Sequence, residues 1–207
     1  MNKLILFTEK NFFGLSENIK YCRNDVTQKV KIGVNVIDKK YDRKTKKYME
    51  NYVCHRFAGF DTYEALFDCM QKLDDQKRCL FEIIQDNCKP YLDVEYDPQQ
   101  HPDIKPSIIN NIISDIIKIF NVKYKLKLEE QDIIVCNAHK YRDNVIIKYS
   151  WHIIVSPLTY NCVYQNNNFN NENSAADLVF CLCEMDFSYI EIIDRSVYSK
   201  FREMRMF

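Results

Sequence analysis

The chain has 207 residues, of which 46% are hydrophobic and 14% aromatic, a composition that excludes disorder along its whole length. Its 29 basic and 29 acidic residues balance, which excludes a polycation that coats nucleic acid and leaves only local basic surfaces. Nine cysteines without paired CxxC spacing favour reduced thiols and an intracellular protein. The apolar run at the N-terminus is too short for a signal peptide or membrane span, so no membrane partner is expected.

The first third of the chain predicts a strand followed by a helix. Hydrophobic alternation over residues 31–37 is typical of a strand. Asp61 is expected to cap a helix whose apolar face consists of Tyr63, Leu66, Phe67 and Met70. The basic stretch at residues 39–47 is interpreted as a solvated loop in preference to a nucleic-acid contact.

Residues 78–84 predict a strand, and a short polar connection separates it from an acidic strand at residues 90–97. This arrangement favours an antiparallel hairpin. Alternate residues of a strand share a face, so Asp93 and Glu95 are expected to lie side by side. Like charges this close need a neutralising cation, and Mg²⁺ or Mn²⁺ is the one that oxygen donors prefer. The alternative is an acidic pair on a solvent-exposed face.

Isoleucine pairs recurring every four residues from Ile108 predict an amphipathic helix that ends near Phe120. Strands are expected at residues 132–137, 145–155 and 189–194, with a helix at 174–185 before the last of them. From residue 78 the order is therefore β, β, α, β, β, α, β, β. This order is typical of an α+β fold related to the split βαβ and RNA-recognition folds.

Two further polar groups accompany the acidic pair. Lys148, Ser150 and His152 alternate along one strand, and an ammonium, a hydroxyl and an imidazole in a row suit a chain of phosphates. Asp194 follows an apolar run, and two arginines that suit phosphate come after it, Arg202 and Arg205. Each group alone is more simply explained as part of a solvent-exposed surface. Together they match the needs of nucleotidyl transfer, which are positioning and charge neutralisation.

Taken in the order in which they occur along the chain, these groups resemble the motifs of a known superfamily. Leu92-Asp93-Val94-Glu95, then Lys148-Tyr149-Ser150-Trp151-His152, then Ile193-Asp194 with the segment 197–205 resemble the archaeo-eukaryotic primase superfamily. The likeness is strongest to the primase-polymerases of eukaryotes and to the primase portions of large DNA-virus helicase-primases. It covers about residues 78–207. Residues 1–77 are expected to form a separate N-terminal lobe.

The resemblance implies a mixed or antiparallel sheet with an RRM-like catalytic subdomain, beside a smaller N-terminal α/β lobe. It implies that the catalytic carboxylates bind Mg²⁺ or Mn²⁺ and that five further residues bind the phosphates of an NTP or dNTP. The carboxylates are Asp93, Glu95 and Asp194, and the phosphate-binding residues are Lys148, Ser150, His152, Arg202 and Arg205. The implied product is a primer made on a single-stranded DNA template, with a helicase domain or subunit as a partner.

Relatives in this superfamily have another phosphate-binding lysine shortly after the last arginine, and the sequence stops before it. The chain is therefore expected to be the N-terminal part of a longer protein at the site of DNA replication, in host cytoplasm or nucleus if viral. Two alternatives stay open. One is a catalytically incomplete nucleic-acid-binding lobe of a replication helicase-primase, and the other is a two-metal nuclease that uses the same carboxylates.

Overall fold

The computed structural model describes residues 7–8, 26–28, 30–72, 80–84, 87–156, 164–165, 174–198 and 203–205. It divides into two compact units, the first from residues 1–83 with 203–207 and the second from residues 84–202. Both helices and strands are present, and the described residues include three α-helices, so the α+β class is confirmed. The proposed functional boundary between residues 77 and 78 stays a prediction.

The first unit is built on a long antiparallel hairpin. Strands β2 and β3 stay paired from Val30–Phe60 to Asp42–Lys47, with one register shift. On the other edge of β2 lie a parallel strand β1 and an antiparallel strand β4, and β4 also pairs with β11. The bounds are β1 Phe7–Thr8, β2 Val30–Asp42, β3 Lys47–Phe60, β4 Leu80–Ile83 and β11 Glu203–Arg205. The strand predicted at residues 31–37 is confirmed, and residues 43–46 of the basic stretch form the exposed hairpin turn.

The first helix, α1, spans Tyr63–Gln71. Its N-cap is Thr62 and not Asp61, because the Thr62 hydroxyl accepts a hydrogen bond from the Ala65 N–H at 3.2 Å. Leu66 and Met70 are buried as expected. The prediction was wrong for Tyr63 and Phe67, the other two members of the apolar face, which are more than half exposed.

The second unit has a central sheet and two helices. Strand β9 pairs antiparallel with β6 on one edge, and with β7 and β8 on the other. Beyond β6, a single antiparallel bridge joins Val94 to Ile193. The bounds are β5 Asn87–Cys88, β6 Tyr91–Tyr96, α2 Ile108–Val122, β7 Ile133–Asn137, β8 Lys140–Arg142, β9 Val145–Val155, β10 Tyr164–Gln165 and α3 Ala175–Met185. Short 3-10 helices occupy Glu130–Asp132, Phe187–Glu191 and Arg195–Val197.

One face of this sheet is buried with the helices. The isoleucine stripe of α2 is confirmed as core, because Ile112 and Ile116 have no exposed surface. Other fully buried residues come from α3 and from alternate positions of β6 and β9: Leu178, Leu182, Leu92, Val94 and Ile153. From Leu92 to Tyr96 of β6 the buried apolar residues alternate with the acidic ones, so the opposite face carries the polar side chains.

The hairpin predicted between residues 78–84 and 90–97 was wrong. Strand β4 pairs with β2 and β11, whereas β6 pairs with β9. The short β5 between them pairs with β10. A short polar connection favours a hairpin, but Leu92 and Val94 on the apolar face of β6 pair with the buried residues of β9, which are Ile153 and Trp151. Burial of the face therefore decides the partner strand.

The strand predicted at residues 189–194 was also wrong. A 3-10 helix spans Phe187–Glu191, and Asp186 caps it by accepting a hydrogen bond from the Ser188 N–H at 2.9 Å. The Tyr189 hydroxyl donates to Asp115 in α2 at 2.8 Å, which fixes this turn against the helix. A short apolar run does not by itself distinguish a strand from a helical turn. Only Ile193 makes a strand-like bridge.

Candidate active site

Two strands place acidic and basic side chains on one face of the second unit's sheet. Asp93 pairs with His152 and Glu95 pairs with Ser150 in the register of β6 and β9. Cross-strand partners point to the same side, so these four side chains share a face. Lys148 lies on the same face because it alternates with Ser150 and His152. The shared faces predicted for each strand are therefore observed, and the register brings the two faces together.

The side chains of the polar face are more buried at Asp93 and His152 than at Glu95 and Lys148. His152 Nε2 lies 3.6 Å from Asp93 Oδ1, and these side chains are only 8% and 16% exposed. Lys148 Nζ lies 2.5 Å from Glu95 Oε2, with side chains 39% and 36% exposed. The Glu95–Lys148 pair therefore reaches solvent and is screened, and such pairs stabilise a fold by about 0–1 kcal/mol.

Asp194 meets the acidic pair through the backbone. Its N–H donates to the Asp93 carbonyl at 2.8 Å, and the Glu95 N–H donates to the Ile192 carbonyl at 2.7 Å. The Asp194 carboxylate accepts a hydrogen bond from the Ser196 N–H at 2.8 Å and so caps the 3-10 helix at Arg195–Val197. Asp194, about a hundred residues after the acidic pair in the sequence, thus lies on a backbone segment next to the strand that carries Asp93 and Glu95.

A pair of tyrosines holds the segment after Asp194 against β6. The Tyr198 hydroxyl donates to the Tyr91 carbonyl and the Tyr91 hydroxyl donates to the Val197 carbonyl, each at 2.9 Å. The two rings stack with centroids 5.2 Å apart, and both residues are buried. Burial raises the pKa of the Tyr198 hydroxyl well above its usual range, and the neighbouring Tyr91, Asp93 and Asp194 raise it further. This role was not predicted, although Tyr91 shares the strand parity of Asp93.

His139 was also missed, and it supports the backbone of Ser150. The Ser150 N–H donates to His139 Nδ1 at 3.1 Å, and the Ala138 N–H donates to the Ser150 carbonyl at 2.9 Å. The His139 ring meets Tyr149 and Trp151 edge-on, with centroids 5.3 and 4.8 Å apart. These two aromatic residues pair with Tyr96 and Val94 of β6 and so lie on the face opposite the polar row, with Trp151 buried and Tyr149 partly buried.

Two arginines, Arg202 and Arg205, are predicted to bind phosphate. Arg202 lies outside the described residues. Arg205 belongs to β11, where it pairs with Phe81 in the sheet of the first unit. Their proposed contact with nucleotide phosphates stays a prediction.

The acidic residues fit a divalent metal in donor chemistry, because Mg²⁺ and Mn²⁺ prefer carboxylate oxygens. Within the part of the chain that the structure describes, however, no group of three or more His, Cys, Asp and Glu side chains is arranged to hold an ion. Glu95 instead contacts Lys148, and Asp194 caps a helix. A three-carboxylate site would therefore require these side chains to exchange their present partners.

No family model matches the chain. Over 184 residues it is 26% identical to a protein named "Uncharacterized putative helicase R8" from Acanthamoeba polyphaga mimivirus. This match covers 80% of the chain but only 17% of the mimivirus protein. The similarity agrees loosely with the resemblance to viral helicase-primases and leaves the primase superfamily as a proposal. In the described residues, every helix is too short or too polar to cross a bilayer.

Proposed function

We propose that this chain is a primase or primase-polymerase module, which adds nucleotides to a primer on a single-stranded DNA template. The observation that carries the proposal is the hydrogen bond from the Asp194 N–H to the Asp93 carbonyl, beside the Asp93–His152 and Glu95–Ser150 register pairs. It brings the backbone of Asp194 to the strand that carries Asp93 and Glu95, beside the row of proposed phosphate-binding groups. Independent solvated surfaces would not be expected to converge in this way.

The order of elements in the second unit supports an RRM-like catalytic subdomain. From β6 the main elements run β6, α2, β7, β9 and α3, followed by the bridge at Ile193. This is the β-α-β-β-α-β order of the split βαβ fold, with the fourth strand reduced to one bridge. The bridge segment lies next to β6, so the last element of the motif returns Asp194 to the first.

In the proposed reaction a 3′-hydroxyl attacks the α-phosphate of a bound NTP or dNTP and pyrophosphate leaves. Lys148, Ser150 and His152 would bind the phosphates, since alternate strand residues are spaced about 7 Å apart. Arg202 and Arg205 are proposed to assist them. The proposed ligands of Mg²⁺ or Mn²⁺ are the three acids, and such an ion would neutralise phosphate charge and lower the pKa of the attacking hydroxyl.

The proposal also gives the chain a cellular setting. The similarity to a helicase-named viral protein supports a helicase domain or subunit as the partner. The chain would then act inside the cell at the site of DNA replication, in the host cytoplasm or nucleus if viral.

The test compares Asp93→Ala/Glu95→Ala with Glu130→Ala/Glu184→Ala, a variant that removes the same charge from exposed positions. Mn²⁺-dependent binding of nucleoside triphosphates is measured by calorimetry, and incorporation on a primed single strand is measured beside it. The site variant is expected to lose both while its melting temperature changes little, and the control to keep both. A parent chain without Mn²⁺-dependent binding, or a site variant that incorporates at the parent rate, refutes the proposal.

A catalytically incomplete nucleic-acid-binding lobe is the second candidate. It is favoured by the Lys148–Glu95 contact, in which both proposed ligand-binding residues are engaged with each other. This candidate predicts metal-independent binding of single strands and no nucleotide binding. The nuclease alternative predicts metal-dependent shortening of a labelled oligonucleotide in the same assay.

A further inference from the structure

Ser150, the middle residue of the proposed phosphate-binding row, lies where strand β9 changes its partner. Trp151 is the last residue of β9 that pairs with β7, and Lys148 is the first that pairs with β8. Ala138 and His139 connect β7 to β8 and lie opposite this gap. Ser150 is only 8% exposed. The partners of its backbone are therefore residues that belong to neither neighbouring strand.

The backbone N–H and C=O of Ser150 both point towards this gap and away from β6. On the β6 side Ser150 pairs with Glu95, whose N–H donates in the other direction, to the Ile192 carbonyl at 2.7 Å. Two residues that turn their backbone groups away from each other form the non-hydrogen-bonded kind of antiparallel pair, in which the side chains are closer. The side chain of Ser150 is thus set close to Glu95, while its backbone depends on the opposite edge.

At that edge the imidazole of His139 takes the place of a backbone carbonyl. A hydrogen-bonded antiparallel pair exchanges an N–H···O bond in each direction. The Ala138 N–H donates one such bond to the Ser150 carbonyl at 2.9 Å, but the Ser150 N–H donates to His139 Nδ1 at 3.1 Å. Since Nδ1 accepts, the neutral ring carries its proton on Nε2. A buried N–H without an acceptor destabilises its surroundings, so this position requires a side chain that accepts.

We propose that His139 is a positioning residue for nucleotide binding, and that it acts through the backbone of Ser150. It holds the Ser150 hydroxyl in line with the side chains of Lys148 and His152, so that all three contact one triphosphate. The inference rests on the proposed function, because it assigns a further residue to the same site. The alternative is a role in packing alone, since the His139 ring also contacts Tyr149 and Trp151.

Two variants separate the acceptor from the ring. His139→Asn keeps an acceptor, because its side-chain carbonyl can replace Nδ1, but it loses the ring contacts. His139→Phe keeps a ring and has no acceptor. Calorimetry of Mn²⁺-dependent nucleoside triphosphate binding should give parent-like affinity for His139→Asn and a loss of about fivefold for His139→Phe, the effect of one hydrogen bond. A packing role predicts the reverse order, and that result would overturn the proposal.

A double-mutant cycle tests whether His139 acts through Ser150. Ser150→Ala removes the hydroxyl and should itself weaken nucleotide binding. Adding His139→Phe to Ser150→Ala should then change the affinity little, because the group that His139 positions is already absent. Losses that add in full would show that His139 acts independently of Ser150, which contradicts the proposal.

The amide proton of Ser150 provides a measurement that needs no nucleotide. Its hydrogen exchange, followed by NMR on the full chain, should be slow in the parent and in His139→Asn and faster in His139→Phe. Exchange in the parent as fast as at the exposed turn residue Asn144 would show that the bond does not hold, and the proposal would fail. Melting curves show whether each variant is folded, and the measurement on the parent decides the question if His139→Phe is not.

Failure of this inference differs from failure of the proposed function. A parent chain without Mn²⁺-dependent nucleotide binding refutes the proposed function and this inference with it. A parent chain that binds nucleotide, together with a folded His139→Phe variant that binds it equally well, refutes the role of His139 and leaves the proposed function intact.

Discussion

The hydrogen bond from the Tyr198 hydroxyl to the Tyr91 carbonyl is expected to anchor the segment that holds Asp194 beside Asp93. Tyr198→Phe removes the donor but keeps the stacked ring, and both tyrosines are under 5% exposed. Loss of a partner from a buried polar group costs about 1–2 kcal/mol. For a chain of this size, each kcal/mol corresponds to about 2–4 °C in melting temperature. The variant should therefore melt about 2–8 °C below the parent.

Thermal unfolding followed by circular dichroism measures this shift, and Mn²⁺-dependent nucleotide binding measures its effect on the site. Tyr141→Phe is the control, since it removes a hydroxyl from an exposed tyrosine and should stay within about 0.5 kcal/mol of the parent. Weaker nucleotide binding by Tyr198→Phe than by Tyr141→Phe is expected, because the segment from Asp194 loses an anchor. An unchanged melting temperature would refute the reasoning, since the bond would then hold nothing.

Two further predictions concern stability. Burial, the largest cause, raises the pKa of Tyr96 to about 12 and also raises that of Tyr189 and Tyr198, whereas unfolded tyrosine titrates near 10. The unfolded chain therefore loses these protons first as the pH rises. The contribution of these tyrosines to the free energy of unfolding is fully present below about pH 10 and falls above it. Urea midpoints that do not change above about pH 10 would contradict this prediction. Ile116→Ala should lower the free energy of unfolding by about 2–5 kcal/mol, because Ile116 is fully buried in α2. Lys118→Ala, at an exposed position of the same helix, is the control. Equal urea midpoints for the two variants would contradict the prediction.

The polar face could be predicted from the sequence because strand alternation is a local property. Asp93 and Glu95 alternate with the buried Leu92 and Val94, and the same rule gives the polar row of β9. The α2 helix was likewise predictable from its spacing of isoleucines. A pattern of period 2 or 3.6 reports which side of an element is buried, whatever that element packs against.

Pairing across the chain could not be predicted in this way. Tyr198 and Tyr91 are 107 residues apart, and no periodicity connects them. Strand β4 pairs with the edge of β2 that is not occupied by β3, and residues 78–97 do not encode that partner. The turn at Phe187–Glu191 depends on a hydrogen bond between Tyr189 and Asp115 on α2. In each case a contact distant in sequence overrides the local preference.

The contact between Lys148 and Glu95 places a condition on the proposed function. Each residue is assigned a ligand, Lys148 a phosphate and Glu95 a metal ion, yet here they neutralise each other. Because both side chains are more than a third exposed, the pair is screened and separating it costs about 1 kcal/mol or less. A triphosphate with its bound cation would offer a phosphate to Lys148 and a metal ion to Glu95. Both charges would therefore stay neutralised when the pair separates. In the proposed function, the same two side chains would thus hold this face together by their contact and exchange that contact for the substrate.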